Sequence, residues 1–96
     1  MTIITINPQK IINKVEEVFK IVLPHSIFDL RYDPASDVLG IRFCEYPDSI
    51  SDVIDDEGMI IGIYDPKTDE IVGLEILNLK MHLKEWKIDK VTPPKV

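Results

Sequence analysis

The apolar positions near the start of the chain follow the period of an α-helix. Asn7 and Pro8 supply a helix N-cap and a first-turn proline, and Pro24 disfavours helical angles at the residue before it. We therefore predict an amphipathic helix over residues 8–23. Its apolar residues are Ile11, Ile12, Val15, Val18, Phe19 and Val22. A short strand is predicted over residues 2–6, where Thr and Ile alternate.

Between residues 27 and 77, apolar and polar residues alternate with the period of two that is typical of β-strands. We predict strands over residues 27–32, 38–45, 51–54, 59–64 and 70–77. The fourth segment is apolar at almost every position and should lie centrally, whereas the acidic third segment should be a short or edge strand. The prediction is an α+β fold: an antiparallel β-meander sheet of four to five strands with the N-terminal amphipathic helix packed on one face.

Two connections between these strands repeat each other thirty-two residues apart. Tyr32 to Leu39 has the sequence YDPASDVL, and Tyr64 to Ile71 has the sequence YDPKTDEI. An aspartate at the first turn position bonds the backbone ahead of it, and the proline after it presets φ. Each repeat is therefore predicted to be the turn of a β-hairpin. The segment Asp55–Gly58 is predicted to be a tight turn whose glycine can take a positive φ.

Residues 78–87 are predicted to form a second, short helix. Its apolar residues are Met81, Leu83 and Trp86, which we expect to pack on the sheet. A partner-binding stripe near the C-terminus is the alternative interpretation of these three residues. We assign residues 1–90 to a single α+β domain and residues 91–96, which include two prolines, to an extended or frayed tail.

Charge is distributed unevenly along the chain. The net charge of the 96 residues is −6, and residues 29–75 alone hold thirteen acidic and three basic side chains. Such a centre repels phosphate, so nucleic acid is excluded as a partner. No apolar run approaches the ~20 residues that a membrane span requires. The single cysteine, Cys44, cannot form an intramolecular disulfide, which favours a reducing cytoplasm.

Two groups of carboxylates are candidates for holding a divalent cation, which takes oxygen ligands. The first lies in the acidic stretch of residues 48–57 and consists of Asp52, Asp55, Asp56 and Glu57. The second has one pair in each hairpin turn, Asp33, Asp37, Asp65 and Asp69, and requires both turns to end on the same side of the sheet. The ligand spacing of a calcium loop is absent. Aspartates in turns bond the local backbone, and charged residues at a sheet edge face solvent, so both groups are explained without a metal. Metal binding is therefore the less favoured hypothesis.

The chain carries no recognisable catalytic constellation. His25, His82 and Cys44 are the only imidazoles and the only thiol, and their spacing indicates no nucleophile–base pair. Gly62 and Gly73 lie inside predicted strands rather than at a strand-to-helix turn, so they do not cradle phosphate. They should instead lie beneath a bulky group such as a helix. We predict a protein that is not an enzyme and has no cofactor.

Three segments in a fixed order carry a resemblance to a known prokaryotic family. They are Tyr32 to Phe43, Asp55 to Asp65 and Glu70 to Leu77. Over about residues 28–80 the chain resembles the small uncharacterised domains of domain-of-unknown-function family 2283. The resemblance implies an antiparallel β-meander sheet with a helix nearby, no established activity and no catalytic residues. Some members of similar small families are encoded beside toxin-like proteins, which associates them with partner binding.

The leading hypothesis for function is a small protein-interaction module, antitoxin-like in the sense that it neutralises a basic partner. The acidic centre and the lack of catalytic groups motivate it. The alternative is a domain that binds a small ligand or a divalent cation through its acidic turn residues. The sheet face opposite the helix carries Val38, Arg42, Ile71, Glu75 and Leu77. This mixture suits either solvent or a second copy of the chain. A symmetric homodimer through this face or through an edge strand is therefore a further hypothesis.

Overall fold

The computed structural model describes residues 7–46 and 48–88. It contains helix α1 (Pro8–Phe19), strands β1 (Asp29–Asp33), β2 (Val38–Arg42), β3 (Ile50–Val53), β4 (Ile60–Tyr64) and β5 (Ile71–Ile76), and helix α2 (Leu79–Glu85). The five strands and both helices occur where the sequence pattern places them, and the predicted α+β fold with an N-terminal helix is confirmed. The predicted strand over residues 2–6 and the predicted tail over residues 91–96 lie outside the described residues.

The five strands form one antiparallel sheet in the order β1-β2-β5-β4-β3. The predicted meander holds for β3, β4 and β5, but not for the whole sheet, because β5 pairs with β2. The physical reason is burial. β5 is buried at three consecutive positions, whereas β3 is exposed at all four of its positions. The apolar β5 therefore occupies the centre, and the acidic β3 lies at the edge as predicted.

Both Tyr-Asp-Pro repeats form hairpin turns, as predicted. Asp33 accepts hydrogen bonds from the Ala35 amide at 3.0 Å and the Ser36 hydroxyl at 2.7 Å. Asp65 accepts one from the Lys67 amide at 2.8 Å. The bonds to the amides two residues ahead form Asx-turns, which aspartate favours. The first turn leads into β2 and the second into β5, and these neighbouring strands are antiparallel. The two turns consequently lie at opposite ends of the sheet.

One face of the sheet is covered by both helices, and the core lies between them. We call this the covered face. The strands contribute Leu39, Ile41, Ile60, Leu74 and Ile76, and the helices contribute Ile11, Ile12, Val15, Leu79, Leu83 and Trp86. In β2 and β5 these residues alternate with Gly40, Arg42, Gly73 and Glu75, which therefore point to the other face.

Helix α1 ends at Phe19, so the predicted extension to residue 23 is wrong. Lys20 takes the left-handed conformation with φ 55° and ends the helix there. As a result Val22, which the helical pattern placed on the apolar side, is 88% exposed. Proline at position 24 restricts only the residue before it, and the left-handed residue ends the helix four positions earlier.

Helix α2 packs on the core through a different set of residues from the one predicted. Trp86 and Leu83 are buried as expected, but Met81 is 42% exposed and His82 is buried in its place. The His82 Nδ1 lies 3.1 Å from the Asn78 carbonyl oxygen, and the imidazole packs against the Trp86 ring with 4.9 Å between the centroids and a tilt of 44°. Hydrogen bonding satisfies this buried polar side chain, which explains why a histidine occupies a core position.

The two strand glycines each lie beneath a neighbouring side chain. A Cβ at Gly62 would meet the Tyr64 ring at 2.8 Å, and a Cβ at Gly73 would meet the Ile41 carbonyl oxygen at 3.1 Å and the Ile63 side chain at 3.2 Å. The predicted bulky group is therefore present, but it is a strand side chain rather than a helix. Gly62 pairs with Leu74 and shares the covered face with it. The absence of its side chain leaves room for the Tyr64 ring above Gly62.

Candidate functional site

The acidic turn residues do not converge in the structure. The turn that holds Asp33 and Asp37 and the turn that holds Asp65 and Asp69 lie at opposite ends of the sheet, so the condition for a shared site is not met. In the described ranges, 7–46 and 48–88, no group of three or more His, Cys, Asp or Glu side chains is placed to hold a metal ion.

The carboxylates between β3 and β4 shape the turn and the edge. Asp55 accepts hydrogen bonds from the amides of Met59 and Ile60, both at 2.9 Å, and Gly58 takes a φ of +74° as expected. Asp52 lies on the exposed edge strand and accepts a bond from the Val53 amide at 2.9 Å. Asp56 and Glu57 are exposed at the turn.

The imidazoles and the thiol are placed separately. His82 is buried in helix α2, whereas His25 is exposed and its Nε2 lies 2.9 Å from Glu16 Oε1. Cys44 is an exposed free cysteine that follows β2. Within the part of the chain that the structure describes, no helix is long and apolar enough to cross a membrane.

A groove of about 530 Å³ opens on the helix-covered side of the sheet, at the end that holds the second hairpin turn. We call it the Tyr64 groove. Its lining residues are Val22, Leu23, Pro24, Tyr64, Asp69, Glu70 and Ile71. One wall is apolar and comes from the loop after α1, and the other carries a phenol and two carboxylates. Sequence patterns did not predict it, because its two walls are about forty residues apart in the chain.

The apolar wall is held against the body of the protein by two polar side chains of α1. Glu16 accepts a hydrogen bond from the Leu23 amide at 2.9 Å and makes a second contact with His25 at 2.9 Å. Gln9 donates its side-chain amide to the His25 carbonyl oxygen at 2.7 Å. The loop that carries Val22 is therefore fixed in place although that side chain is 88% exposed.

The polar wall of the groove has a negative electrostatic potential. Burial raises the pKa of Tyr64, and the negative charges of Asp52 and Asp69 raise it further. Neither Asp69 nor Glu70 forms an ion pair in the described ranges, 7–46 and 48–88. The groove therefore presents uncompensated negative charge beside an apolar surface.

Acid should loosen the apolar wall through Glu16. The hydrogen bond from the Leu23 amide, helped by His25, lowers the pKa of Glu16 below its ordinary value of 4.5. A carboxyl with a depressed pKa stabilises the folded form at pH above its unfolded pKa, and this contribution is lost as the pH falls through the folded pKa. We expect the Leu23 amide proton to shift in the NMR spectrum with a midpoint below pH 4.5.

The matched pair Glu16→Gln and Glu17→Gln separates this effect from general acid titration. Both residues lie on α1, but among the described residues the one ion pair of Glu17 is an exposed contact of 3.7 Å with Lys14. Glu16→Gln should remove the acid transition at Leu23, and Glu17→Gln should leave it unchanged. A transition that survives in Glu16→Gln would show that another group holds the loop.

The family match covers β1 through the start of α2. Residues 29–80, more than half of the chain, match the family described as protein of unknown function (DUF2283). No curated protein and no solved structure matches the chain. The matched region includes the polar wall of the Tyr64 groove, whereas the apolar wall at residues 22–24 precedes it. The chain belongs to the DUF2283 family.

Proposed function

We propose that the protein is an interaction module that binds a basic segment of a partner protein in the Tyr64 groove. A toxin-like partner with a basic surface would be neutralised by such binding. The observation that carries the proposal is the pairing of an apolar wall with unpaired carboxylates in one groove, as seen in the described ranges 7–46 and 48–88.

A lysine or arginine side chain matches both halves of the groove. Its aliphatic stem can lie along apolar surface while its charged end stays at a polar edge. Val22, Leu23 and Pro24 offer the apolar surface, and the carboxylates of Asp69 and Glu70 lie on the opposite wall. An arginine can also stack on an aromatic ring, which Tyr64 provides.

The charge of the whole domain supports the same partner. Residues 29–75 hold thirteen acidic and three basic side chains, so the long-range field attracts cationic segments. Three lysines lie outside this centre, and none of them lines the groove. They are Lys10 and Lys14 in α1, and Lys20 directly after the helix. The carboxylates of the groove and the net negative charge of the domain therefore both favour a basic partner.

Binding should be tested with a peptide in which lysine and leucine alternate, against a peptide with glutamine in place of lysine. In a ¹H–¹⁵N spectrum we expect the lysine peptide to shift the amides of residues 22, 23, 64 and 69–71, and the glutamine peptide to leave them in place. Shifts spread over the whole surface would contradict a defined groove.

Two double variants with identical changes in charge sharpen this test. Asp69→Asn with Glu70→Lys alters the groove, and Asp56→Asn with Glu57→Lys makes the same change at the exposed turn between β3 and β4. Asparagine is chosen at position 69 because it tolerates the left-handed φ of 63° found there. The groove variant should weaken the peptide by about tenfold, or ~1.4 kcal/mol, and the turn variant by much less. Equal weakening would mean that net charge alone attracts the peptide.

A further inference from the structure

The face of the sheet opposite the helices carries an apolar surface of its own. We call it the bare face, defined by Asp29, Arg31, Asp33, Val38, Gly40, Arg42, Ser51, Val53, Ile61, Ile63, Gly73 and Glu75. In the described residues neither helix covers it. Val53 is 50% exposed, and Val38 and Ile61 are half-buried, whereas Ile63 is buried. Aliphatic residues from three strands thus meet solvent on a face that also carries charged residues of β1, β2 and β5. They are Asp29, Arg31, Asp33, Arg42 and Glu75, of which Asp29 and Arg31 form an ion pair at 2.9 Å.

The charged residues of β2 and β5, Arg42 and Glu75, form a pattern that matches its own copy. Gly40 pairs with Glu75, and Arg42 pairs with Gly73, so each of these side chains has a glycine on one side. On its other side Arg42 pairs with Asp29, whose carboxylate is bound by Arg31. A two-fold axis parallel to the strands, between β2 and β5, would place Arg42 opposite Gly73 of a second copy and Glu75 opposite Gly40 of that copy. The same rotation brings Arg42 of each copy within reach of Glu75 of the other at the usual ~10 Å spacing of stacked sheets.

Arg42 is held in a position that keeps it available for such a pair. Its guanidinium lies 4.7 Å from the Tyr46 ring centroid and 5.8 Å from that of Phe28, which is itself 57% exposed. Its Nε is buried and has no hydrogen-bond acceptor in the described residues. A guanidinium that stacks on aromatic rings keeps its outer N–H groups free to bind a carboxylate. Arginine, tyrosine and tryptophan are also enriched among the hot-spot residues of protein interfaces.

Glu75 is free in the same way. It is a diagonal neighbour of Arg42 on the bare face, yet the two form no ion pair in the described ranges, 7–46 and 48–88. We propose that the bare face is the interface of a symmetric homodimer in which Arg42 of each copy binds Glu75 of the other. The Tyr64 groove lies on the covered side, so each copy of the dimer keeps its groove open to a partner. The proposal is independent of the function proposed above.

Sedimentation of the full chain from about 1 to 100 μM tests the proposal. The wild-type protein should change from the 11.0 kDa chain mass to twice that mass as concentration rises. Arg42→Glu and Glu75→Arg should each weaken dimerisation by about tenfold or more. The symmetric dimer contains two Arg42–Glu75 contacts, and each substitution turns both of them into contacts between like charges. A wild-type protein that stays monomeric over the whole range would overturn the proposal.

Mixing the two single variants, Arg42→Glu and Glu75→Arg, gives the decisive result. In the mixed dimer the two substituted side chains face each other across the axis, and so do the two native side chains, so both contacts again join opposite charges. An equimolar mixture should therefore dimerise although neither variant does so alone. Circular dichroism first establishes that each variant is folded. Failure of the mixture to dimerise, with both variants folded, would exclude the Arg42–Glu75 contact.

The control variant Glu57→Arg separates this contact from a general effect of charge. It has the same change in charge as Glu75→Arg, but residue 57 lies at the exposed turn between β3 and β4, outside the bare face. It should leave the dimer as stable as that of the wild-type protein. Equal weakening by Glu57→Arg and Glu75→Arg would show that net charge, rather than the bare face, governs association.

Discussion

Leu74→Ala should lower the free energy of unfolding by about 3–4 kcal/mol. Leu74 is fully buried in β5, the central strand of the sheet, and it pairs with Ile41 on one side and Gly62 on the other. Truncation leaves a cavity that the surroundings cannot easily fill. The Gly62 side offers no side chain, and the Tyr64 ring already occupies the space above that glycine.

Leu30→Ala is the matched control for this substitution. Leu30 pairs with the same Ile41, but it lies in the edge strand β1 and is 38% exposed. The same truncation should therefore cost only about 1 kcal/mol. Urea unfolding of both variants measures the difference. In a domain of this size a loss of about 3 kcal/mol lowers the melting temperature by well over 10 °C. Equal losses at the two positions would show that β5 is not the centre of the core.

The sequence predicted those parts of the fold that depend on local signals. Alternating apolar residues located all five strands to within three residues at each end. The two Tyr-Asp-Pro repeats predicted both hairpin turns, because the hydrogen bond from an aspartate to the amide two residues ahead depends on neighbouring residues alone. The family resemblance was confirmed over residues 29–80. None of these predictions required knowledge of which distant segments touch.

The order of the strands could not be predicted in this way. The fourth segment was predicted to lie centrally, but β4 and β5 have similar apolar patterns, IIGIY and IVGLEI, and it is β5 that occupies the middle of the sheet. The pairing of β2 with β5 joins residues more than thirty positions apart, such as Leu39 and Ile76. The neighbours of β5 in the sheet are β2 and β4, and both carry buried apolar residues. Only the burial of these residues beside β5 selects this strand order over a simple meander.

The Tyr64 groove was missed for the same reason. Asp69 was correctly placed in a hairpin turn, but its neighbours on the other wall come from the loop after α1. That loop was predicted to be the last turn of the helix. Its true conformation depends on Glu16, whose carboxylate binds the Leu23 amide seven residues later. A side chain that folds a loop back onto its own helix leaves no periodic trace in the sequence.

Asp37→Ala should be the most costly substitution among the acidic turn residues, with a loss of about 3 kcal/mol. Its carboxylate accepts a hydrogen bond from the Tyr32 hydroxyl at 2.7 Å and another from the Lys80 amide at 3.1 Å. Its carbonyl oxygen accepts the Leu79 amide at 3.0 Å. The side chain of Asn78, which precedes α2, makes no capping bond, so Asp37 caps this helix from a turn forty residues away.

Asp69→Ala provides the control, because Asp69 is the equivalent residue of the second repeat. The two aspartates have nearly the same backbone, with φ of 57° and 63°, so alanine meets the same left-handed strain of about 1 kcal/mol at both positions. No side-chain hydrogen bond to Asp69 is present in the described residues. The difference between the two variants, about 2 kcal/mol, therefore measures the cap and the phenol bond alone. Equal losses would mean that Asp37 acts only as a turn residue.

The titration of Tyr32 gives the same contact a second, independent signature. The hydrogen bond to Asp37, together with burial and the nearby negative charge, raises the pKa of Tyr32 to about 12. A raised pKa stabilises the fold at pH below the unfolded value of about 10, and this contribution is lost as the pH rises through the folded value. In Asp37→Ala the ¹³Cζ resonance of Tyr32 should titrate close to pH 10, whereas Asp69→Ala should leave it near its native midpoint. The two aspartates occupy the same position in the same motif. Only the tertiary structure, by bringing α2 to one of them, makes it a residue that joins the sheet to that helix.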